Sequence, residues 1–376
     1  MHVTVPESMR VPIPESGKIV NTELFRLECI GKALDTMKLL TMRVGWNQTD
    51  RDVNRIIDFD PRGTFAAYLK GKGFKIPIAT ATVAPRGRNN TWIGMILVHP
   101  EMRRQGVANY MMQVCVKYAV EQGKVINGLD ATPMGNTVYG AVGYVDSFRI
   151  WRSVYKSAEF ANASYDKAHV SRITKKDLDG VIQYDASNYL EREAILRALY
   201  ADCDGEAYVF RNDNGEVAGY VLGRPGRIRP FVGPFIADSE AIARELLDAI
   251  SSSYAARGEE TLFIDTPEEK FDDRGVYARG VFDQERKPSR HRLIRDIACV
   301  RDFTRMYQVV DPQGAERLVK EFREKENLSP GDPRVREFAA VMHRSVQNRS
   351  ETAAYMEYEA KVLQKKIWGD TGPEKG

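Results

Sequence analysis

Two short stretches of the sequence occur twice, in the same order along the chain. Residues 128–133 read GLDATP and residues 263–268 read FIDTPE, while 137–144 read TVYGAVGY and 275–282 read GVYARGVF. The order of predicted helices and strands around these stretches repeats as well. Self-similarity of this kind indicates a duplicated architecture. The chain is therefore predicted to fold into two tandem domains of the same kind.

Length and composition agree with two globular domains. The chain has 376 residues, of which 43% are hydrophobic and 28% are charged. This length exceeds one ordinary domain, and this apolar content is sufficient for a packed core. The formal net charge is only +3, from 55 basic and 52 acidic residues. Because the charges are so balanced, the composition argues against a nucleic-acid partner.

Cysteine and histidine spacing shows no metal or disulfide pattern. The 4 cysteines lie far apart and the 5 histidines are scattered along the chain. A zinc site or a disulfide framework requires closer and more regular spacing. No apolar run approaches the ~20 residues of a membrane span, and the N-terminus does not read as a signal peptide. We therefore expect a cytoplasmic protein with no metal and no membrane partner.

The pattern of apolar residues and turns divides the chain into four predicted regions. Residues 1–23 form an extended lead-in, 24–155 the first domain, 168–310 the second domain and 311–376 a helical tail. In each domain, two helices precede antiparallel strands, a central apolar strand, a helix and a further strand. This order predicts the α+β class, a three-layer α/β arrangement with a mixed, mostly antiparallel sheet flanked by helices.

Helical periodicity supports two more predictions. Apolar residues at helical spacing predict one continuous helix over 24–44, which ends at Gly45. A long amphipathic helix is predicted over 334–368. Because amphipathic helices commonly pair, a homodimer through the C-terminal helices is a further expectation.

The segment HPEMRRQGVA, residues 99–108, joins a nearly all-apolar strand to a predicted helix. Gly106 and Ala108 leave room for an anion near the backbone, and Arg103 and Arg104 add positive charge. The first amides of a helix lack intrahelical acceptors, and the helix dipole favours negative charge there. The segment is therefore predicted to bind a pyrophosphate or a similar anion. The alternative is a solvated turn.

The second repeat lacks this segment. Where the first repeat reads VHPEMRRQGVANYMM, the second reads IADSEAIARELLDAI, without the glycine and without the paired arginines. This difference predicts one anion site for the two domains, in the first domain alone.

These features together resemble the GNAT superfamily of acyl-CoA-dependent N-acyltransferases. ILVHPEMRRQGVANYMM, residues 96–112, is similar to the pyrophosphate-binding motif of that superfamily, and VYGAVGY, residues 138–144, is similar to its Tyr-x-x-x-Gly-Phe signature. Tyr144 stands where the signature has phenylalanine. The resemblance covers roughly residues 24–305 and is closest to tandem GNAT proteins whose second half lacks the motif.

The resemblance implies a set of residues for acetyl-CoA. Backbone groups of Leu97 and Val98 would hold the pantetheine arm, and Tyr139 lies where these enzymes often place the acid that protonates the departing thiolate. A phenol suits that task because its pKa of ~10 keeps it neutral at pH 7. The alternative is a tyrosine that only packs. The pyrophosphate would be held at Arg103, Arg104, Gln105, Gly106, Val107 and Ala108.

Catalytic and acceptor residues beyond these are less defined. Asp130 ends a strand beside the proposed cofactor strand and is a candidate base, yet it recurs as Asp265 in the second repeat, which favours a structural role. Trp46, Asn47 and Gln48 lie in the loop that covers the acceptor pocket of this fold, so they are candidates for substrate binding or for simple packing.

Two functions follow from this interpretation. The first is an N-acetyltransferase that moves the acetyl group of acetyl-CoA to a primary amine of a small molecule or a peptide. The second is a non-catalytic acyl-CoA-binding sensor or scaffold, which the lack of an evident base favours. Release of CoA thiol that depends on an added amine distinguishes them.

Overall fold

The structure is a computed structural model that describes residues 25–29, 34–69, 76–157, 162–189, 191–268, 299–325 and 367–369. These residues pack as two compact units. Of the described residues, the first unit holds those up to Trp46, those of Asp50–Ser147 and those from Thr304 to residue 325. The second unit holds Asn47–Thr49, the described part of Phe148–Phe303, and residues 367–369.

The helices and strands are numbered here in chain order. They are β1 (Phe25–Cys29), α1 (Leu34–Arg43), α2 (Asp50–Phe59), β2 (Thr64–Leu69), β3 (Ile76–Arg86), β4 (Asn90–Val98), α3 (Val107–Glu121), β5 (Ile126–Ala131), α4 (Pro133–Gly140), β6 (Val145–Tyr155), β7 (Val170–Arg172), α5 (Leu178–Asn188), α6 (Glu193–Asp202), β8 (Ala207–Arg211), β9 (Val217–Arg224), β10 (Phe231–Ala237), α7 (Glu240–Ala256), β11 (Leu262–Pro267), β12 (Cys299–Val309), α8 (Pro312–Lys325) and β13 (Ile367–Gly369).

Each unit contains one mixed, mostly antiparallel arrangement of strands. In the first unit the strand order is β1-β2-β3-β4-β5-β12, and β4 and β5 run parallel. In the second unit the order is β6-β11-β10-β9-β8-β7, β10 and β11 run parallel, and β13 pairs with β10. The two orders place the parallel pair at the same point of each unit. The predicted fold class and the predicted duplication are both confirmed.

Helices cover both faces of the sheet in the first unit. Side chains alternate between the two faces of a strand. Along β2, Phe65 and Ala67 belong to the hydrophobic cluster under α3, whereas Ala66 and Tyr68 belong to a second cluster with residues of α1 and α2. In the second unit, α7 packs over β8, β9 and β10. The alternating apolar strands therefore form the middle layer between two helical layers, as the α+β prediction requires.

The last strand of each repeat pairs with the other repeat's strands. β6 follows α4 of the first repeat and pairs antiparallel with β11, whereas β12 follows the second repeat and pairs antiparallel with β5. Each sheet is thus completed by a strand from the other half of the sequence. The sequence interpretation placed β6 as the last strand of the first domain, and from Phe148 onward this strand packs with the second unit. The domain boundaries themselves stay a prediction.

Each exchanged strand carries an arginine that binds the aspartate of the repeated motif. Arg305 on β12 donates from Nε and Nη2 to the carboxylate of Asp130, at 2.9 and 3.1 Å. Arg152 on β6 donates in the same way to Asp265, at 2.7 and 2.8 Å. Bidentate pairs of this kind are the stronger hydrogen bonds of proteins. The recurrence of the aspartate in both repeats is explained by the recurrence of this pair.

Aromatic rings cover both guanidinium groups. The Arg305 guanidinium carbon lies 4.6 Å from the ring centroid of Trp92, and the Arg152 guanidinium carbon lies 5.2 Å from that of Phe231. Arg305 is 1% exposed. Buried charge requires both a partner and favourable surroundings. These pairs therefore anchor the exchanged strands within each unit.

Two predicted helices are corrected by the structure. The segment predicted as one helix over 24–44 contains β1, which pairs with β2 along all five of its residues, and then α1. Backbone pairing with a sheet edge outweighs the weak local periodicity of a five-residue segment. At the end of the chain, 367–369 form β13 and not the end of a helix. The predicted lead-in and the rest of that long helix lie outside the described residues.

One histidine of the second unit links two of its loops. His169 lies 2.7 Å through Nδ1 from Asp166 Oδ2 and 3.0 Å through Nε2 from Asp213 Oδ1, and its ring stacks on Phe210. A neutral imidazole can donate only one of these hydrogen bonds, so the two contacts together favour the protonated form. The hydrogen bonds from His169 to Asp166 and to Asp213 raise the pKa of His169 above its usual value.

We therefore expect the pKa of His169, followed by proton NMR, to lie above 6.5 and to fall toward that value in an Asp213→Asn variant. A raised folded-state pKa means that the stabilisation is complete below pH ~6.5 and is lost as the pH rises through the folded-state pKa. His169→Gln identifies the resonance. A pKa that does not change in Asp213→Asn would contradict the double hydrogen bond.

Candidate functional site

The proposed cofactor strand separates from its parallel neighbour part-way along its length. β4 pairs with β5 at Asn90, Thr91 and Trp92. At Met95 the backbone has a φ of 52°, and the register with β3 shifts between Thr80 and Thr82. A bulge of this kind bends a strand and changes its direction. The β4 edge at Leu97 and Val98 therefore follows the bulge and lies past the pairing with β5.

The chain then turns sharply into α3. His99 Nδ1 accepts a hydrogen bond from the amide of Glu101, so this histidine orders the turn. Arg104 and Gly106 have φ values of 60° and 79°, both in the left-handed region. Glycine adopts that conformation without steric cost, whereas arginine does so rarely. Left-handed residues of this kind occur in the backbone nests that bind anions.

The N-terminus of α3 carries no side-chain cap. Gly106 occupies the N-cap position, and the first intrahelical hydrogen bond runs from the Tyr110 amide to the Gly106 carbonyl at 3.0 Å. The amides of Val107 and Ala108 therefore have no carbonyl acceptor within the helix. The first turn contains no acidic residue. Exposed Arg103 and Arg104 lie beside it, and Arg103 Nε also donates to the Val98 carbonyl at 3.2 Å.

The corresponding helix of the second unit begins differently. Ser239 is the N-cap of α7, and its hydroxyl accepts a hydrogen bond from the Ile242 amide at 3.3 Å. Glu240 follows in the first turn, where its carboxylate pairs with Arg244. A serine cap and a carboxylate satisfy the amides and the dipole that would otherwise attract an anion. Of the two corresponding helix starts, only that of α3 has neither a side-chain cap nor an acidic residue in its first turn.

Tyr139 lies on α4, next to the same core as the loop. Thr132 caps this helix by accepting a hydrogen bond from the Gly135 amide at 3.2 Å. The partly buried Tyr139 ring packs against the cluster that also holds Val98 and Met102. A Cβ on Gly135 would lie 2.8 Å from the Tyr139 ring, so glycine leaves the space the ring needs. The structure therefore places Tyr139 and the β4–α3 junction around one core.

The pKa of Tyr139 is raised above 10, chiefly by burial and secondarily by the nearby Cys115. A raised value means that the phenol keeps its proton throughout the neutral pH range. The pKa of the Cys115 thiol is likewise raised by burial, so this cysteine is an inert core residue. The arrangement therefore presents Tyr139 as a neutral proton donor in a largely apolar setting.

The other candidate residues have structural partners. Asp130 is held by Arg305, as described above, and its side chain is 5% exposed. Asn47 is 2% exposed and belongs to the second unit, where its Oδ1 accepts from the amides of Ile228 and Arg229 and its Nδ2 donates to the Arg229 carbonyl. Gln48 is also buried. Whether these residues touch a substrate stays a prediction.

Trp46 is partly buried and packs against the cluster formed by α1, α2, β2 and β4. This contact agrees with the packing interpretation and leaves the substrate-binding interpretation untested. Arg305, which holds Asp130, was missed at the sequence level. Arg152 on β6 stands opposite Asp265 as Arg305 stands opposite Asp130. This correspondence can be recognised only once the strand register of both repeats is known.

Metal and membrane features can be examined over the described ranges only. Within them, no three histidine, cysteine, aspartate or glutamate side chains come together as a metal-ligand set. None of the described helices has the length and apolar character to cross a lipid bilayer.

Family models match both halves of the chain. The Acetyltransferase (GNAT) family matches residues 32–136, and the Acetyltransferase (GNAT) domain matches residues 181–290. Together the two matches cover more than half of the sequence, and the first of them includes the β4–α3 junction. The chain belongs to the GNAT acetyltransferases. It is a tandem GNAT protein and an acyltransferase, and acetyl-CoA is the donor that GNAT acetyltransferases use.

Solved structures share the GNAT fold of this chain. A putative acetyltransferase from Pyrococcus horikoshii aligns with a TM-score of 0.56 at 18% identity, over 76% of this chain and 89% of that one. A GCN5-related N-acetyltransferase from Sphaerobacter thermophilus aligns with a TM-score of 0.50 at 14% identity, over 77% of this chain and 96% of that one. At such identities the similarity concerns the fold. No curated protein sequence matches the chain.

Proposed function

We propose that this tandem GNAT protein is an N-acetyltransferase that binds acetyl-CoA in its first unit and transfers the acetyl group to a primary amine. The observation that carries the proposal is the difference between the two equivalent helix starts. α3 begins at an uncapped glycine beside two arginines, whereas α7 begins at a serine cap followed by a glutamate. Only the first helix start therefore retains a free anion site for a pyrophosphate.

The residues of the loop fit a pyrophosphate by their charge and by their backbone donors. The amides of Gly106, Val107 and Ala108 would donate to phosphate oxygens, and Gln105 and the two arginines would border them. Gln105 Nε2 donates to the Glu101 carbonyl at 3.1 Å, which orders the loop before any ligand binds. Leu97 and Val98 would present backbone groups to the pantetheine arm along the β4 edge that lies past the pairing with β5.

Acetyl-CoA would supply an activated thioester, and the residues of the first unit would position it and manage one proton. Strand amides near the β4 bulge would stabilise the oxyanion that develops when an amine attacks the carbonyl. Tyr139 would donate its phenolic proton to the departing sulfur as the carbon–sulfur bond breaks. The proton that the attacking amine loses would return to the tyrosinate through water, so that the phenol is restored and the net proton count is unchanged. A thiol has a pKa of ~8.5 and a buried phenol has a higher one, so Tyr139 is neutral at the moment when the thiolate needs a proton.

Asp130 is assigned a positioning role in this proposal. Its carboxylate accepts two hydrogen bonds from Arg305, and the same pair recurs in the unit that lacks the loop. A general base must have a free lone pair directed at the substrate amine. The second function, a non-catalytic acyl-CoA sensor, gains support from this structural pairing of Asp130 with Arg305. It is excluded if CoA thiol is released only when an amine acceptor is present.

The proposal is tested by titrating acetyl-CoA into wild type and into Gly106→Glu in a calorimeter. We expect one site per chain in wild type. In the variant, the carboxylate would repel the pyrophosphate from partly exposed surroundings by about 2 kcal/mol, which raises Kd about thirtyfold.

Gly123→Glu is the matched control for this experiment. Gly123 lies past the other end of α3, has a φ of 64° and has open space around its Cβ position. Its substitution introduces the same left-handed strain and the same charge away from the loop. Binding that is weakened equally by both substitutions, or that is absent from wild type, would overturn the proposed acyl-CoA site.

A further inference from the structure

The C-terminal strand β13 lies in the second unit where two parallel strands separate. β10 and β11 pair at Phe231 and Val232, opposite Phe263 and Ile264. Beyond Val232, β10 continues without β11 and pairs antiparallel with β13. β13 also lies against β11. A three-residue strand from the end of the chain therefore occupies the gap between the two separating strands.

Strand register shows which part of the first unit corresponds to this gap. Trp92 pairs with Gly128 in the first unit, and Phe231 pairs with Phe263 in the second. The repeated motif matches Gly128 with Phe263, so Trp92 corresponds to Phe231. Counting along β4 and β10 then makes Leu97 equivalent to Ile236.

Both strands also contain a bulge close to this point. The extra residues lie at 95–96 in β4 and at 233–234 in β10, one residue apart in the register alignment. The two strand edges beyond the bulges therefore correspond to within one residue, so that Leu97 matches the Phe235–Ile236 edge. β13 pairs with β10 through Phe235↔Gly369 and Ile236↔Ile367. The β10 edge that corresponds to Leu97 is therefore already paired with β13 of the same chain.

The backbone groups along the β10 edge need hydrogen-bond partners. All seven residues of β10 are buried, and unpaired backbone groups in a buried strand are costly. The start of α7 is capped by Ser239, so it offers no anchor for a phosphate. An extended peptide satisfies such an edge through backbone hydrogen bonds, which is the recognition mode of β-strand addition.

We propose that the β10 edge of the second unit is a docking site for an extended peptide, and that Ile367–Gly369 of the same chain is its ligand. The strand takes the place that a pantetheine arm would take in the first unit, so the second unit binds no acyl-CoA. The comparison with pantetheine rests on the proposed function, whereas the docking of β13 rests on strand pairing alone. A tethered strand binds at high effective concentration, so a short contact is sufficient.

The first test is hydrogen exchange on the full-length chain with Ile367→Pro. Proline has no amide to donate and does not fit a paired strand position. We expect the amides of Phe235–Ala237 to exchange about tenfold faster in this variant, while those of α3 are unchanged. Ile367→Ala keeps the backbone amide and is the matched control. Unchanged exchange in Ile367→Pro would overturn the docking of β13.

The second test supplies the strand as a separate molecule. A fluorescent peptide of residues 363–373 should bind the Ile367→Pro chain, whose edge is vacant, and should not bind wild type, whose edge is occupied. The same peptide with proline at position 367 should bind neither. If the β10 amides of Ile367→Pro exchange rapidly but the chain binds no peptide, β13 only completes the sheet, and the proposed docking site does not exist.

Acetyl-CoA titration separates this inference from the proposed function. One acetyl-CoA per wild-type chain supports the proposed function and agrees with the exclusion by β13. Because the start of α7 offers no phosphate anchor, a second acetyl-CoA in Ile367→Pro would show that β13 by itself excludes the cofactor. Two in wild type would overturn the exclusion by β13. If no acetyl-CoA binds to wild type, the proposed function and the exclusion claim fail together, and the exchange and peptide results alone decide whether β13 docks.

Discussion

A Tyr139→Phe variant is expected to bind acetyl-CoA as tightly as wild type and to turn over about 10²–10⁴-fold more slowly. The substitution removes one hydroxyl and keeps the ring that fills the space beside Gly135. The lost step is proton donation to the departing thiolate, so kcat falls while the affinity for the donor does not change. The measurement is steady-state release of CoA thiol with an accepting amine, together with calorimetric binding.

Tyr144→Phe is the matched control for this prediction. Tyr144 is buried, and its ring centroid lies 6.4 Å from that of Tyr139. Its pKa is also raised, first by burial and then by Cys115, so the two tyrosines share an environment. The proposal assigns no proton transfer to Tyr144, so its kcat should stay within a few-fold of wild type. Equal losses in both variants would show that Tyr139 supports packing and donates no proton.

The second large effect concerns the buried pair between Arg305 and Asp130. Arg305→Met leaves the Asp130 carboxylate buried without its bidentate partner, and we expect the free energy of unfolding of the first unit to fall by about 3–5 kcal/mol. Replacing both residues, as Asp130→Leu with Arg305→Met, removes the charge as well as its partner. The double variant should therefore recover most of the loss.

Urea denaturation combined with hydrogen exchange measures this effect unit by unit. Arg152→Met is the corresponding substitution in the second unit, where it leaves Asp265 buried and should lower the stability of that unit. The prediction is contradicted if Arg305→Met costs less than about 1 kcal/mol, a typical value for an exposed pair.

The candidate role of Asp130 as a base is tested separately with Asp130→Asn. Loss of a general base lowers kcat by about 10²–10⁴-fold, so the activity per folded molecule of this variant decides the role.

Several elements of this protein could be predicted from local sequence patterns. The apolar run before His99 and the glycine at 106 indicate a strand, a tight turn and a helix start, because each residue type acts within its own few neighbours. The structure bears this out, with β4 followed by the turn and by α3.

Other features were not accessible to local reasoning. β1 is five residues long, and only its pairing with β2 distinguishes it from the start of a helix. Asn47 was a candidate for substrate contact by its place in a loop. Its hydrogen bonds run to residues 228–229, which lie far along the sequence. Contacts over such separations depend on the assembled fold and leave no periodic signal in the chain.

The sequence by itself determined that the chain is a duplicated GNAT protein and that only its first copy keeps the Arg-x-x-Gly-x-Ala loop. Both properties are encoded in short motifs whose backbone geometry is local. Only the tertiary structure decided that β6 pairs with β11 of the second repeat and that β12 pairs with β5 of the first. It also decided that Asp130 binds Arg305 and that Ile367–Gly369 pairs with β10. Strand pairing joins residues that are distant in sequence, and the choice of partner depends on the burial and register of whole sheets.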